Sequence, residues 1–203
     1  DTNDPLWIER MHLFFRNRTV LPPADDPTEY AAAFEAVFPA PEDRRKYIEE
    51  AIRKGTPSFS HRVIGSLLTT SLVPCVFTTN FDNLIETATT ITDQLMPPDK
   101  RAVMTVAAID NADRVERCLR ESSWPFLAKL HGDFQSVELK NTTKELKEQD
   151  SKLRQVLTTT CTRFGLVVVG YSGRDSSVME ALTDALSKNN SFPSGIFWVT
   201  RSS

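Results

Sequence analysis

Apolar and polar positions follow two rhythms along the 203-residue chain, and the change of rhythm predicts its organisation. Over residues 1–70 the spacing is helical. Residues 6–16 carry Trp7, Ile8, Met11, Leu13, Phe14 and Phe15, a wide helical stripe that Leu21-Pro22-Pro23 ends. A second helix is predicted from Pro27-Thr28-Glu29 through Tyr30, Phe34, Val37 and Phe38, with Thr28 as its cap. Pro41-Glu42-Asp43 opens a third, through Tyr47, Ile48 and Ile52, and Gly55 closes it. A fourth, residues 61–70, presents Val63, Ile64, Leu67 and Leu68 as its core face.

Beyond it the apolar runs shorten and become β-branched. Residues 73–78 suit a buried strand followed by a helix over residues 83–90. Residues 104–106 read as a weak strand, within a region that Pro97-Pro98-Asp99-Lys100 and Asp110-Asn111-Ala112-Asp113 make hard to assign. Residues 126–130 form another apolar run, and residues 141–162 a polar helix spaced by Leu146, Leu153, Val156 and Leu157. Residues 164–169 are the clearest buried strand, followed by a helix over residues 178–186 and a last strand over residues 195–200. Alternating strands and helices predict an α/β, Rossmann-like fold: a mainly parallel sheet with helices on both faces, preceded by a helical subregion, residues 1–56, within one domain spanning 1–203.

Composition narrows the function classes. A net charge of -3 gives no support for direct nucleic-acid binding, which needs a basic face. The three cysteines, Cys75, Cys118 and Cys161, never form C-x-x-C, which argues against a disulfide framework or a thiolate zinc site and predicts no metal. A reducing cytoplasm fits that usage, and the absence of an apolar run of about eighteen residues argues against a membrane span. The chain opens at Asp1 without Met and stops at Arg201-Ser202-Ser203 after an apolar run, which points to a piece of something longer.

In such sheets ligands bind beyond the carboxyl ends of the strands. Three of the predicted strands end in unusual polar groups: Thr79-Asn80-Phe81-Asp82, His131-Gly132-Asp133 and Gly170-Tyr171-Ser172-Gly173. Each has a structural reading beside a functional one. Asn80 closes a strand or holds a ribose hydroxyl or a water; Asp82 caps the next helix or accepts from a ligand. His131 bonds backbone or acts as a general base, since an imidazole titrates near neutrality. His12 and His61 lie on or beside helices and read as structural. The glycines after residue 169 let backbone amides approach an anion, or make a tight turn with Ser172 or Asp175 as cap.

Taken in order, TTNFD (residues 78–82), LHG (130–132) and VVVGYSGRD (167–175) resemble the sirtuin-like NAD-hydrolysing branch of the sirtuin superfamily, over residues 60–200. Pro57-Ser58-Phe59-Ser60-His61 and Thr70-Ser71-Leu72-Val73-Pro74 look like that family's lead-in. That branch supplies effector domains of bacterial antiviral defence proteins. The resemblance implies a Rossmann-like domain that takes NAD+ as substrate and releases nicotinamide and ADP-ribose, switched on by homo-oligomeric assembly or a fused sensor. It places Thr79, Asn80 and Asp82 on the nicotinamide ribose and carboxamide, and His131 as the base. Gly170, Ser172, Tyr171 and Asp175 fall on the dinucleotide's ribose and phosphates, with a further contact at Thr200 and Arg201.

The chain departs from the superfamily twice. The paired C-x-x-C zinc module of the deacylases is absent, which disfavours protein deacylation. The glycine-rich G-A-G-x-S turn that receives the pyrophosphate is also absent upstream of Asn80. Two further readings stand beside hydrolysis: a module that senses NAD or a related nucleotide without cleaving it, and ADP-ribosyl transfer to an acceptor.

Overall fold

A computed structural model of the chain describes residues 9, 13, 22–23, 26, 29–108, 111–131, 143–173 and 175–199. Of the first expected helix only Glu9 and Leu13 are described, and the Thr28 cap lies outside the described residues. The chain divides into two compact units, Asp1–Lys54 and Gly55–Ser203.

The described part of the first unit is helical. Helices α1 (Glu29–Val37) and α2 (Pro41–Lys54) meet through Phe34, Phe38 and Tyr47, with the Phe38 and Tyr47 ring centroids 4.8 Å apart. Arg44 closes the corner by donating to the carbonyls of Phe38 and Pro39 at 2.7 and 2.9 Å, which satisfies groups that the end of a helix leaves bare. Glu42 and Asp43 in the first turn of α2, and Arg53 and Lys54 in its last, complement the helix dipole.

The second unit is α/β and Rossmann-like. Its elements run α3 (Phe59–Thr69), β1 (Cys75–Thr78), α4 (Leu84–Leu95), β2 (Thr105–Ala107), α5 (Asp113–Glu121), β3 (Phe126–Lys129), α6 (Thr143–Cys161), β4 (Leu166–Val169), α7 (Ser176–Leu186) and β5 (Ile196–Val199). Among the described residues every strand pairing is parallel: β3 lies between β1 and β2, and β4 pairs with β5. Alternate side chains of the central strand serve opposite faces. Phe126 and Ala128 join Val115 and Leu119 of α5, Leu153 and Leu157 of α6, and Ala181 and Leu182 of α7 in the larger core. Leu127 faces the other way, with Leu68 of α3 and Ile85 of α4. Helices therefore cover both faces of β1, β3 and β2.

Three expectations change. The helix α5 went unassigned because its face is narrow: Val115, Cys118 and Leu119 are buried, and Asp113, Arg114, Glu116, Arg117, Arg120 and Glu121 surround them. The helix after β1 runs on to Leu95 rather than stopping at residue 90. The strand read as most buried is buried on one face: Val168 is covered, whereas Val167 and Val169 are 64% and 66% exposed. An unbroken apolar run cannot distinguish one covered face from two.

Helices α3 and α4 approach backbone to backbone at Gly65, where a Cβ would lie 2.8 Å from Thr89 N and 2.9 Å from the Ala88 carbonyl carbon. Neither atom can yield without moving α4. Gly65→Ala is therefore expected to destabilise the fold by about 1–2 kcal/mol, overpacking outweighing the gain in helix propensity. Thermal unfolding checks it, as a midpoint roughly 2–8 °C lower.

Candidate active site

The site is built at the carboxyl ends of β1, β3 and β4. The tips of β1 and β3 are tied by the Leu130 N–H, which donates to the Thr78 carbonyl at 2.8 Å. Beyond Thr78 the chain turns at once, because the Asn80 N–H donates to Thr78 Oγ1 at 3.1 Å. That turn leaves the Asn80 side chain exposed. Thr79 is half-buried beside it, as is Asp82, whose Oδ1 accepts from the Leu84 N–H at 3.0 Å and so starts α4.

His131 stands where the three tips meet. The Phe81 ring lies against it on one side, centroids 6.2 Å apart, and its Nε2 pairs with Asp175 Oδ2. The other oxygen of Asp175 caps α7, accepting from the N–H groups of Ser177 and Val178 at 2.9 and 3.2 Å. One carboxylate thus joins a helix N-terminus to the imidazole. With an Nε2–H donated to Asp175, Nδ1 carries the lone pair that a general base requires. His131 keeps 34% of its side-chain surface exposed, so the ring is held yet reachable.

The turn after β4 is shaped by Gly170 and Gly173, both left-handed at φ +68° and +73°. Ser172 is exposed between them. Tyr171 turns inward: its hydroxyl donates to the Asp175 carbonyl at 3.4 Å, its ring lies 6.0 Å from Trp198, and its own carbonyl accepts from Trp198 Nε1 at 3.2 Å. Burial first, then the nearby Asp175 charge, raises the Tyr171 phenol above its ordinary range. It enters the site as a neutral group.

The structure thus brings His131 and Asp175 into contact, sets Asn80 and Asp82 on the neighbouring β1 turn, and places Tyr171 behind Asp175. Thr200 and Arg201, along with Gly132, Asp133 and Arg174, lie outside the described residues. Two aromatic residues escaped the sequence reading: Phe81 beside His131 and Trp198 beside Tyr171. Phe81 was legible only as the apolar member of a polar cluster; Trp198 gave no signal beyond its strand. His61 is structural, its Nδ1 accepting from the Ser58 N–H at 3.1 Å at the start of α3. Burial pushes the Cys75 and Cys161 thiols up to about 12 and about 11, so neither is a thiolate nucleophile at neutral pH.

With this geometry in place, comparison with known families decides the relationship: a SIR2-like domain matches residues 74–203. The chain belongs to the SIR2-like family. The matched span begins just before β1 and takes in all three polar strand ends, so the elements that carry the SIR2-like match also carry the site. Membership fits an NAD-related enzymatic function. A comparison with curated proteins gives no match for this SIR2-like chain. Among the described residues, no helix is long and apolar enough to cross a membrane.

Proposed function

We propose that the chain is an NAD+ glycohydrolase, cleaving NAD+ with water to nicotinamide, ADP-ribose and a proton. The observation that carries the reading is the His131–Asp175 pair at the meeting point of the strand tips in a SIR2-like domain. Breaking the bond from ribose to cationic nicotinamide passes through a sugar cation. The protein must hold the ribose, orient the departing ring and present a nucleophile to the anomeric carbon. Asn80 positions the ribose and the attacking water. His131 Nδ1 accepts a proton from that water or from a ribose hydroxyl, while Asp175 fixes the ring. Asp82 orients the carboxamide through Oδ2, its Oδ1 being engaged by Leu84. Thr79 contacts the nicotinamide ribose, and Gly170 and Ser172 meet the dinucleotide's ribose and phosphates, with Tyr171 supporting their turn; Thr200 is proposed as a further contact.

The activity serves antiviral defence by depleting NAD+ in the cytoplasm, and it is switched on by homo-oligomeric assembly or an associated sensor. The deciding experiment follows NAD+ with the full chain under activating conditions by chromatography. Nicotinamide and ADP-ribose are expected in equal amounts. Retained but uncleaved NAD+ would instead mark a sensing module, and ADP-ribose attached to an acceptor would mark a transferase.

Asp175→Asn separates its two tasks. The asparagine oxygen still caps α7, but the carboxylate that holds the imidazole is gone. Turnover is expected to fall roughly tenfold or more with the thermal midpoint nearly unchanged. Asp175→Ala should add a stability loss of about 1 kcal/mol, from the missing cap. Equal activity in wild type and Asp175→Asn, measured as nicotinamide release, would remove Asp175 from the mechanism.

A further inference from the structure

Lys129 is fully buried, and it is the one charged side chain in the buried set of the described residues. The pleat explains where it points. Phe126 and Ala128 face the larger core, Leu127 faces α3 and α4, and Lys129 falls on the same side as Leu127. Its Nζ meets Glu86 Oε1 at 2.6 Å, and Glu86 sits in the first turn of α4. Lys129 is paired in register with Thr78, and the next residue, Leu130, bonds the Thr78 carbonyl. The ion pair therefore braces the strand that ends two residues before His131 against the helix that Asn80, Phe81 and Asp82 lead into.

Stability alone does not account for such a brace. Removing an ammonium and a carboxylate from water is opposed by desolvation, and well-packed apolar residues of similar volume commonly replace a buried pair without loss. A charged pair differs from an apolar contact in setting one distance and one direction. Here that distance lies between the β3 tip and the start of α4. Displacement of about 1 Å between reacting groups can lower a rate by roughly 10²-fold.

We infer that Lys129 and Glu86 form a positioning pair that holds the Asn80–Asp82 turn at its working separation from His131. The activity readout rests on the proposed NAD+ hydrolysis; a second readout does not. The test uses the full chain carrying Lys129→Met together with Glu86→Leu, which removes both charges and keeps the volume. The expected result is a thermal midpoint at or above that of the wild type, a roughly tenfold lower kcat for nicotinamide release, and displaced amide resonances at Asn80, Phe81, Asp82 and His131. A merely structural pair would leave kcat within twofold and those resonances in place once the midpoint is preserved, and that result overturns the inference. If the double variant does not fold, Glu86→Gln, which keeps a hydrogen-bonding partner for Lys129, is read by the same two measurements. Displaced resonances in a chain whose wild type releases no nicotinamide would support the positioning pair and overturn the hydrolysis reading. Equal release by wild type and variant would overturn the pair and leave hydrolysis standing.

Discussion

His131→Ala is expected to lower nicotinamide release by roughly 10³-fold, within the range that one positioned general base supplies. The substitution removes Nδ1, the nitrogen left to accept a proton once Nε2 faces Asp175. It leaves the scaffold almost untouched. Asp175 Oδ1 still accepts from Ser177 and Val178, and the Leu130 bond to Thr78 is made by backbone. The His131–Asp175 pair is partly exposed, so its loss lowers stability by at most about 1 kcal/mol. Thermal unfolding should therefore report a nearly wild-type protein while chromatography reports almost no product. A variant that still releases nicotinamide at the wild-type rate would show that another group takes the proton.

Asn80→Ala is expected to lower kcat/KM by roughly 10²-fold, equivalent to about 2.7 kcal/mol of transition-state stabilisation. The exposed side chain contributes little to folding, and the turn it occupies is held by its own N–H on Thr78 Oγ1, which alanine retains. Stability should stay within about 0.5 kcal/mol. The loss should fall chiefly on kcat if Asn80 orients the water, and on KM if it holds the ribose equally in ground and transition states. Steady-state nicotinamide release over a range of NAD+ concentrations separates the two, and an unchanged kcat/KM would remove Asn80 from the site.

Much of the architecture was legible because its signals are local. The apolar runs of residues 73–78, 126–130 and 164–169 each ended within about two residues of a described strand terminus. The polar groups after them stood out for the same reason, since a strand that stops at amide, imidazole or glycine is visible in consecutive residues. What failed was equally physical. The narrow apolar face of α5 was outweighed by the charges around it, and the unbroken run of β4 concealed that Val167 and Val169 are exposed. The same limit applies to side-chain partners. Asp175 was expected either as a helix cap or at the dinucleotide, and Tyr171 at the dinucleotide; the cap is present, but the pairing of Asp175 with His131 had no local signal. In the fold both oxygens of Asp175 have protein partners, and the Tyr171 hydroxyl reaches the Asp175 carbonyl.

The sequence by itself determined the order of the strands and, α5 apart, of the described helices, the parallel α/β class and the three polar strand ends, because periodicity and turn chemistry act between near neighbours. Only the tertiary structure decided that His131 meets Asp175 and Phe81, that Lys129 is buried against Glu86, and that Gly65 lets two helices touch. Those contacts join residues far apart in the chain. They depend on the register of parallel strands and the packing of helices across them, which no local pattern records.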